Sequence, residues 1–283
     1  MRPSLCTWVF FCALVLMPCS HARAGQWTGR ELEVFAGSAS KPALEEAARR
    51  FRESTGARVL LHLGGSGTML AQMELLRRGD VYFPGSSDFG ELAKRKGLVD
   101  PATEVRVVYL IPAINVQRGN PKNIRGLDDL ARPGLRVGIA RPGTVCVGLY
   151  AVEALEARGL SDAVRRNIVN QAESCEKTAQ MISLGLVDAV IGWDVFEEWD
   201  PARVETVYYS PEEVTRIGYL PAAVSAFPRE PEIARAFLSY LVSPEGQEVF
   251  RSHGYLTDLA EARKRARPDT PVGGEWPLPA SWR

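Results

Sequence analysis

An α/β fold in two lobes is what this sequence predicts, each lobe a mainly parallel sheet flanked by helices, with two crossovers forming the hinge. Three observations carry the prediction. Short β-rich runs alternate with helical patterns along most of the chain, the same strand–turn–helix grammar occurs in two separate blocks, and the turns are rich in Gly, Ser and Thr. The 283 residues are 46% hydrophobic and 24% charged, enough for two ordinary cores.

The first block opens with a strand at residues 32–35, the turn Ala36-Gly37-Ser38-Ala39-Ser40, and a helix whose apolar face carries Leu44, Ala47 and Phe51. A second strand at 58–61 leads through Gly64-Gly65-Ser66-Gly67 into a helix with Met69, Leu70, Met73 and Leu76 on one side, and a third strand follows at 81–83. The second block repeats this. A strand at 135–139, the turn Arg141-Pro142-Gly143-Thr144 and a helix through Leu149, Val152 and Leu155 come first. A short strand at 167–170, the loop Glu173-Ser174-Cys175, a helix over 178–184 and a buried strand at 189–193 complete it. Residues 107–114 and 217–224 read as extended connections between blocks, and helices are expected over 233–241 and 244–250. The expected organisation is residues 25–109 plus 219–260 as the first lobe, 110–218 as the second, and 261–283 as a charged, then Pro-rich tail lying on the surface or mobile, with Trp276 and Trp282 able to dock.

The N-terminus has the layout of a secretory signal: Met1-Arg2, an unbroken apolar run over 8–17, and Ala22-Arg23-Ala24 as a small-residue cleavage site. The run is too short for a permanent anchor, and Pro18 before Cys19 makes a poor lipobox, so cleavage after Ala24 is expected rather than a lipid anchor at Cys19. Export to the periplasm follows. Removing 1–24 takes Arg2 and Arg23 and leaves a slight acidic excess, which excludes a general attraction for nucleic acid or anionic membrane. Cys6, Cys12 and Cys19 leave with the signal, and Cys146 and Cys175 remain, an even pair expected to form a disulfide in an oxidising compartment.

Four turns share one design, in which a strand ends, Gly, Ser or Thr residues follow and a helix starts. They are 37–40, 65–68, 143–146 and 173–175. Each helix start offers unpaired N–H groups and a partial positive charge. Glycine lets a ligand approach the backbone, and hydroxyls add rotatable donors. Such turns gather at the carboxyl ends of the strands, where several together form an anion site needing no lysine. Hydrogen bonds to a charged group contribute about 1.5–3 kcal/mol each, so five or six leave roughly 8–12 kcal/mol after desolvation, in the micromolar to nanomolar range. Taken singly, each turn is only a helix cap, because Ser and Thr are preferred there for stability alone; the argument lies in finding four.

The stretch Ala36-Gly37-Ser38-Ala39-Ser40-Lys41-Pro42 resembles the first binding loop of archaeal-type tungstate/molybdate-binding proteins. Residues 65–72 with Gly79-Asp80-Val81-Tyr82, and residues 137–142 through Gly148-Leu149-Tyr150-Ala151, are similar to the second and third loop regions of bacterial molybdate-binding proteins. The similarity runs from about Glu31 to about Leu256. It implies a type II periplasmic-binding fold serving an ABC importer, closing on a tetrahedral oxyanion and delivering it to a membrane permease, as a monomer with no cofactor. The chain would cross between lobes near 109–112 and 218–221. Carried over by position, Ser38 and Ser66 give hydroxyls and N–H groups and Val147 and Cys175 give N–H groups, with Ser40, Thr144 and Cys146 beside them. Two departures stand out. Cys146 replaces the family's usual proline, and Ile191, followed by Gly192-Trp193-Asp194, stands where a ligand-touching tyrosine is common. Both remaining cysteines therefore fall on ligand loops, which leaves open a thiol pair selecting a thiophilic oxyanion or a metal ion.

An enzyme is disfavoured. After the signal only His62 and His253 remain, Ser66 lacks a nucleophile-elbow context, and neither a Walker lysine nor a metal-ligand spacing is present. His62 is read as a packed or capping histidine, and Asp194 with Glu197-Glu198 as a solvated edge.

Overall fold

The structure, a computed structural model, describes residues 25–283, so the signal-peptide expectation lies outside the described residues. Two five-stranded mixed sheets carry the chain. The first contains β1 (Glu31–Gly37), β2 (Arg58–Gly64), β3 (Val81–Phe83) and β4 (Val105–Leu110). The second contains β5 (Pro112–Gln117), β6 (Val137–Ala140), β7 (Ile168–Ala172), β8 (Ala189–Trp193) and β9 (Val204–Tyr208), after which β10 (Gly218–Val224) returns to the first.

The two sheets repeat one topology. Their orders are β2-β1-β3-β10-β4 and β7-β6-β8-β5-β9. In each, the first three strands are parallel and the fourth, contributed by the other crossover, runs antiparallel to both neighbours. This is the type II periplasmic-binding arrangement that the family resemblance implies. Residues 107–114 and 217–224 are more than connections. Their apolar runs are buried on both faces within the sheets, as β4, β5 and β10. The chain passes between sheets at Ile111, whose N–H is held by Asp194 Oδ1 at 3.1 Å, and returns over residues 209–217. Asp194 is accordingly no solvated edge residue, since its Oδ1 also accepts from Val195 N–H.

Helices flank both sheets: α1 (Lys41–Thr55), α2 (Ser66–Leu76) and α3 (Ser87–Arg95) follow β1, β2 and β3, whereas α4 (Cys146–Ala157), α5 (Ser161–Arg165) and α6 (Cys175–Ser183) lie in the second lobe. Then come α7 (Phe196–Trp199), α8 (Pro231–Leu241), α9 (Pro244–Ser252) and α10 (Leu259–Arg263). Proline in the first turn of α1, α8 and α9 fixes φ where no N–H is needed. The segment after residue 256 is not a loose tail. Ala266, Thr270 and Trp282 are buried, and Ile217 N–H donates to Pro271 O at 2.8 Å. The polar spacing that reads as solvated in sequence is used for main-chain pairing. No helix among the described residues is long and apolar enough to cross a membrane.

The buried cluster around β1–β3 extends across the lobe boundary to Val145, Cys146, Val147, Tyr150, Cys175, Trp193 and Phe196. The lobes are closed on one another.

Candidate functional site

At the carboxyl ends of β1, β2 and β3, the first lobe presents residues 37–40, Gly65-Ser66 and residues 84–86. At the ends of β6 and β7, the second presents residues 141–147 and 173–176. Placing a helix start after each strand end turns main-chain N–H groups toward the space between the sheets. Ser38, Ser40, Ser66, Cys146, Val147 and Cys175 are all at most 1% exposed.

Contacts across the cleft are direct. Gly67 N–H donates to Thr144 O at 2.9 Å, Glu176 N–H donates to Ser38 Oγ at 3.3 Å, and Lys41 Nζ meets Glu176 Oε1 at 2.5 Å. Gly65 is required here, because a Cβ at that position would lie 2.8 Å from Glu173 O and 2.9 Å from Thr144 O. Within the first lobe, Ser66 Oγ accepts from Gly85 N–H at 2.9 Å, while Tyr82 OH holds Ser66 O at 2.8 Å. Both serine hydroxyls thus accept one N–H, and each keeps its own proton to donate. Ser40 is engaged in its own turn, donating to Gly37 O at 3.3 Å, and Thr144 meets the other lobe through its carbonyl.

The sulfurs of Cys146 and Cys175 face each other at 3.3 Å as unbonded thiols. Burial pushes the Cys175 thiol up, the Cys146 thiol adds to this, and the Val147 N–H and Trp193 indole N–H oppose it. A thiol pushed up in this way offers little to a cation, which needs thiolates. Among the described residues no group of three or more His, Cys, Asp or Glu side chains is arranged to hold a metal ion. Ile191 lies in the second core; two residues further along the same face, Trp193 stacks edge-on against Tyr150 at 4.8 Å. The Trp193 Nε1, Tyr150 hydroxyl and Ser86 hydroxyl are buried without a well-aligned partner. His62 stacks on Phe35 at 4.5 Å and its Nε2 meets Glu33 Oε1 at 2.8 Å, so it is a packed surface group.

The sequence reading missed a fifth turn. Pro84-Gly85-Ser86-Ser87-Asp88 follows β3 and starts α3, and Gly85 packs so closely that an added Cβ would be 2.5 Å from Cys146 Sγ. The Gly-Ser-Ser-Asp signal was the same as in the other four, but the three-residue strand before it drew less notice.

Two lobes of duplicated topology, with helix starts and hydroxyls of both buried against one another, fit a two-lobed solute-binding protein. The chain belongs to the family of bacterial extracellular solute-binding proteins, which matches residues 32–256. By that family it is a solute-binding protein rather than an enzyme. A putative binding protein of Haemophilus influenzae is 26% identical over 80% of this chain and 91% of its own. The molybdate-binding protein ModA of Escherichia coli is 25% identical over 83% and 93%. Among solved structures, the sulfate-binding protein SubI of Mycobacterium tuberculosis H37Rv has the same fold, with a TM-score of 0.75 at 19% identity, covering 86% of this chain and 94% of that one.

Proposed function

We propose that this protein is the exported receptor of an ABC importer for a small tetrahedral oxyanion of the molybdate/tungstate type, which it passes to a membrane permease. Ser38 and Ser66 hydroxyls and the N–H groups of Val147 and Cys175 hold the anion between the lobes. The observation that carries this reading is that the loops bearing these four buried residues, from both lobes, meet directly, Glu176 N–H on Ser38 Oγ and Gly67 N–H on Thr144 O, while Lys41, the neighbouring cation, is already paired with Glu176. A cage of donors without acceptors favours a fully ionised oxyanion over one that carries a proton. The similarity to the E. coli molybdate-binding protein supports the same class. The raised Cys175 thiol and the lack, among the described residues, of a third ligand weigh against a metal cation.

The test is thermal unfolding with molybdate, tungstate, sulfate and phosphate. An anion at 100 times its dissociation constant adds about 2.7 kcal/mol, and molybdate or tungstate is expected to do so, with or without reductant or thiol-blocking reagent. A flat response to every oxyanion with a positive response to a divalent metal would overturn the assignment.

A further inference from the structure

Away from the cage, one buried charge cluster ties both lobes, the hinge and the C-terminal segment together. Arg216, 4% exposed on the segment returning to the first lobe, donates from Nε to Glu153 Oε2 at 2.7 Å and from Nη1 to Gly274 O at 3.0 Å. Its Nη2 lies 3.0 Å from Asp88 Oδ1, an electrostatic contact rather than an aligned hydrogen bond, and its guanidinium sits 4.1 Å over the Tyr150 ring. Asp88 belongs to α3 of the first lobe; Tyr150 and Glu153 lie one and two turns along α4, the helix that starts with Cys146-Val147. Burial works against the charge of Arg216, but Tyr150, Asp88 and Glu153 hold it firmly protonated.

The C-terminal segment straps over this cluster. Gly273 N–H donates to Ile217 O at 2.8 Å, Ser87 Oγ to Gly274 O at 2.7 Å, and Trp276 N–H to Asp88 Oδ1 at 3.0 Å, while Arg95 pairs with Glu275. Further on, Trp282 Nε1 donates to Glu156 Oε1 at 2.9 Å and its ring lies beneath Arg165 at 4.0 Å, both in the second lobe. The turn needs Gly273 and Gly274, at φ +66 and +85, because a side chain on Gly273 would run into Tyr219. The strap lies beyond residue 256, where the family match ends.

We propose that Arg216, gripped by Asp88, Glu153 and the strap, is a positioning residue that latches the lobes closed and sets the rate of ligand release. Opening the cleft would separate α3 from α4 and leave buried charges without partners, a cost met whenever the ligand leaves. The proposal rests on hinge closure, and only its release arm needs the oxyanion reading.

The experiment uses the full chain as parent, Asp88→Asn, which keeps an acceptor for Trp276 N–H but removes the charge facing Arg216, and Arg216→Gln. Small-angle scattering without ligand, melting temperature and molybdate dissociation rate are measured. The expected result is a compact ligand-free parent, a larger radius of gyration in both variants, and release about tenfold faster, with association faster too because entry to the buried site needs the same opening. A ligand-free parent already as expanded as the variants overturns the latch. So does a lower melting temperature with unchanged scattering and release, which would mark a merely structural cluster. If Arg216→Gln does not fold, Asp88→Asn decides. If the parent fails to bind molybdate, the ligand assignment falls while scattering still judges the latch.

Discussion

Ser38 and Ser66 occupy similar places at the ends of β1 and β2, yet their removal should read differently. Ser38 Oγ accepts from Glu176 N–H of the opposite lobe, whereas Ser66 Oγ satisfies the buried Gly85 N–H of its own lobe. Ser38→Ala is expected to weaken oxyanion binding by about 1–2 kcal/mol with ligand-free stability retained, and Ser66→Ala to weaken binding similarly while costing a further ~1–3 kcal/mol of stability for the orphaned N–H. Calorimetric titration beside urea unfolding separates the two, and equal stability loss in both would show that the two hydroxyls have the same structural duty. Asp194 gives a residue-scale pH effect. Burial raises its carboxyl to about 7 from 3.8, against the opposing N–H groups of Ile111 and Val195. Between those values the folded chain keeps a proton that the unfolded chain has lost, so this group's contribution falls as pH rises through the window, by up to roughly 4 kcal/mol. Asp194→Asn should match the parent near pH 4 and be more stable near pH 8; parallel pH curves for the two proteins would mean that water keeps the carboxylate ionised.

At the level of elements, the strand–turn–helix units were legible because each is local. An apolar run, a Gly-Ser turn and a 3.6-residue periodicity lie within about twenty residues, and β1-α1, β2-α2 and β6-α4 appear where those patterns fall. What joins the units was not legible. Arg216 finds Glu153 and Asp88 across 63 and 128 positions, and no spacing rule announces a pairing at that range. The strap escaped notice for the same reason, its Pro, Gly and charged residues having no periodicity until Ile217 supplies a partner backbone. The cage lies between these cases. Its turns could be read singly, but their meeting depends on closure, which Gly65 permits. Gly65 has φ −65, so alanine there strains nothing locally. Its Cβ would instead press on Thr144 O and Glu173 O of the other lobe. Gly65→Ala is therefore expected to leave the circular dichroism spectrum unchanged and to weaken oxyanion affinity at least about tenfold, or 1.4 kcal/mol; undiminished affinity would place the ligand outside the closed cleft.

Over the whole molecule, closure makes one folding unit of two sheets. Cys146, Val147, Tyr150, Cys175, Trp193 and Phe196 belong by chain order to the second lobe, yet they are buried in one cluster with Val34, Leu70 and Phe83 of the first. A cluster shared across a boundary couples the stabilities of the parts, because unfolding either lobe exposes apolar surface on the other at roughly 25 cal/mol for each Å² uncovered. The latch adds to this coupling by burying charges that only the closed arrangement pairs. The ligand-free parent should therefore unfold in a single calorimetric transition whose van't Hoff and calorimetric enthalpies agree. Gly65→Ala, with its lobes held apart, should show a broadened or split transition, since each half then keeps its own core, around β1–β3 in one and around Ile114, Val137 and Ile139 in the other. Two resolved transitions in the parent itself would show that the lobes are thermodynamically separate and that closure contributes little without ligand. A single transition surviving in Gly65→Ala would instead assign the coupling to the two hinge strands and the C-terminal segment, which still join the lobes when the cleft is wedged open.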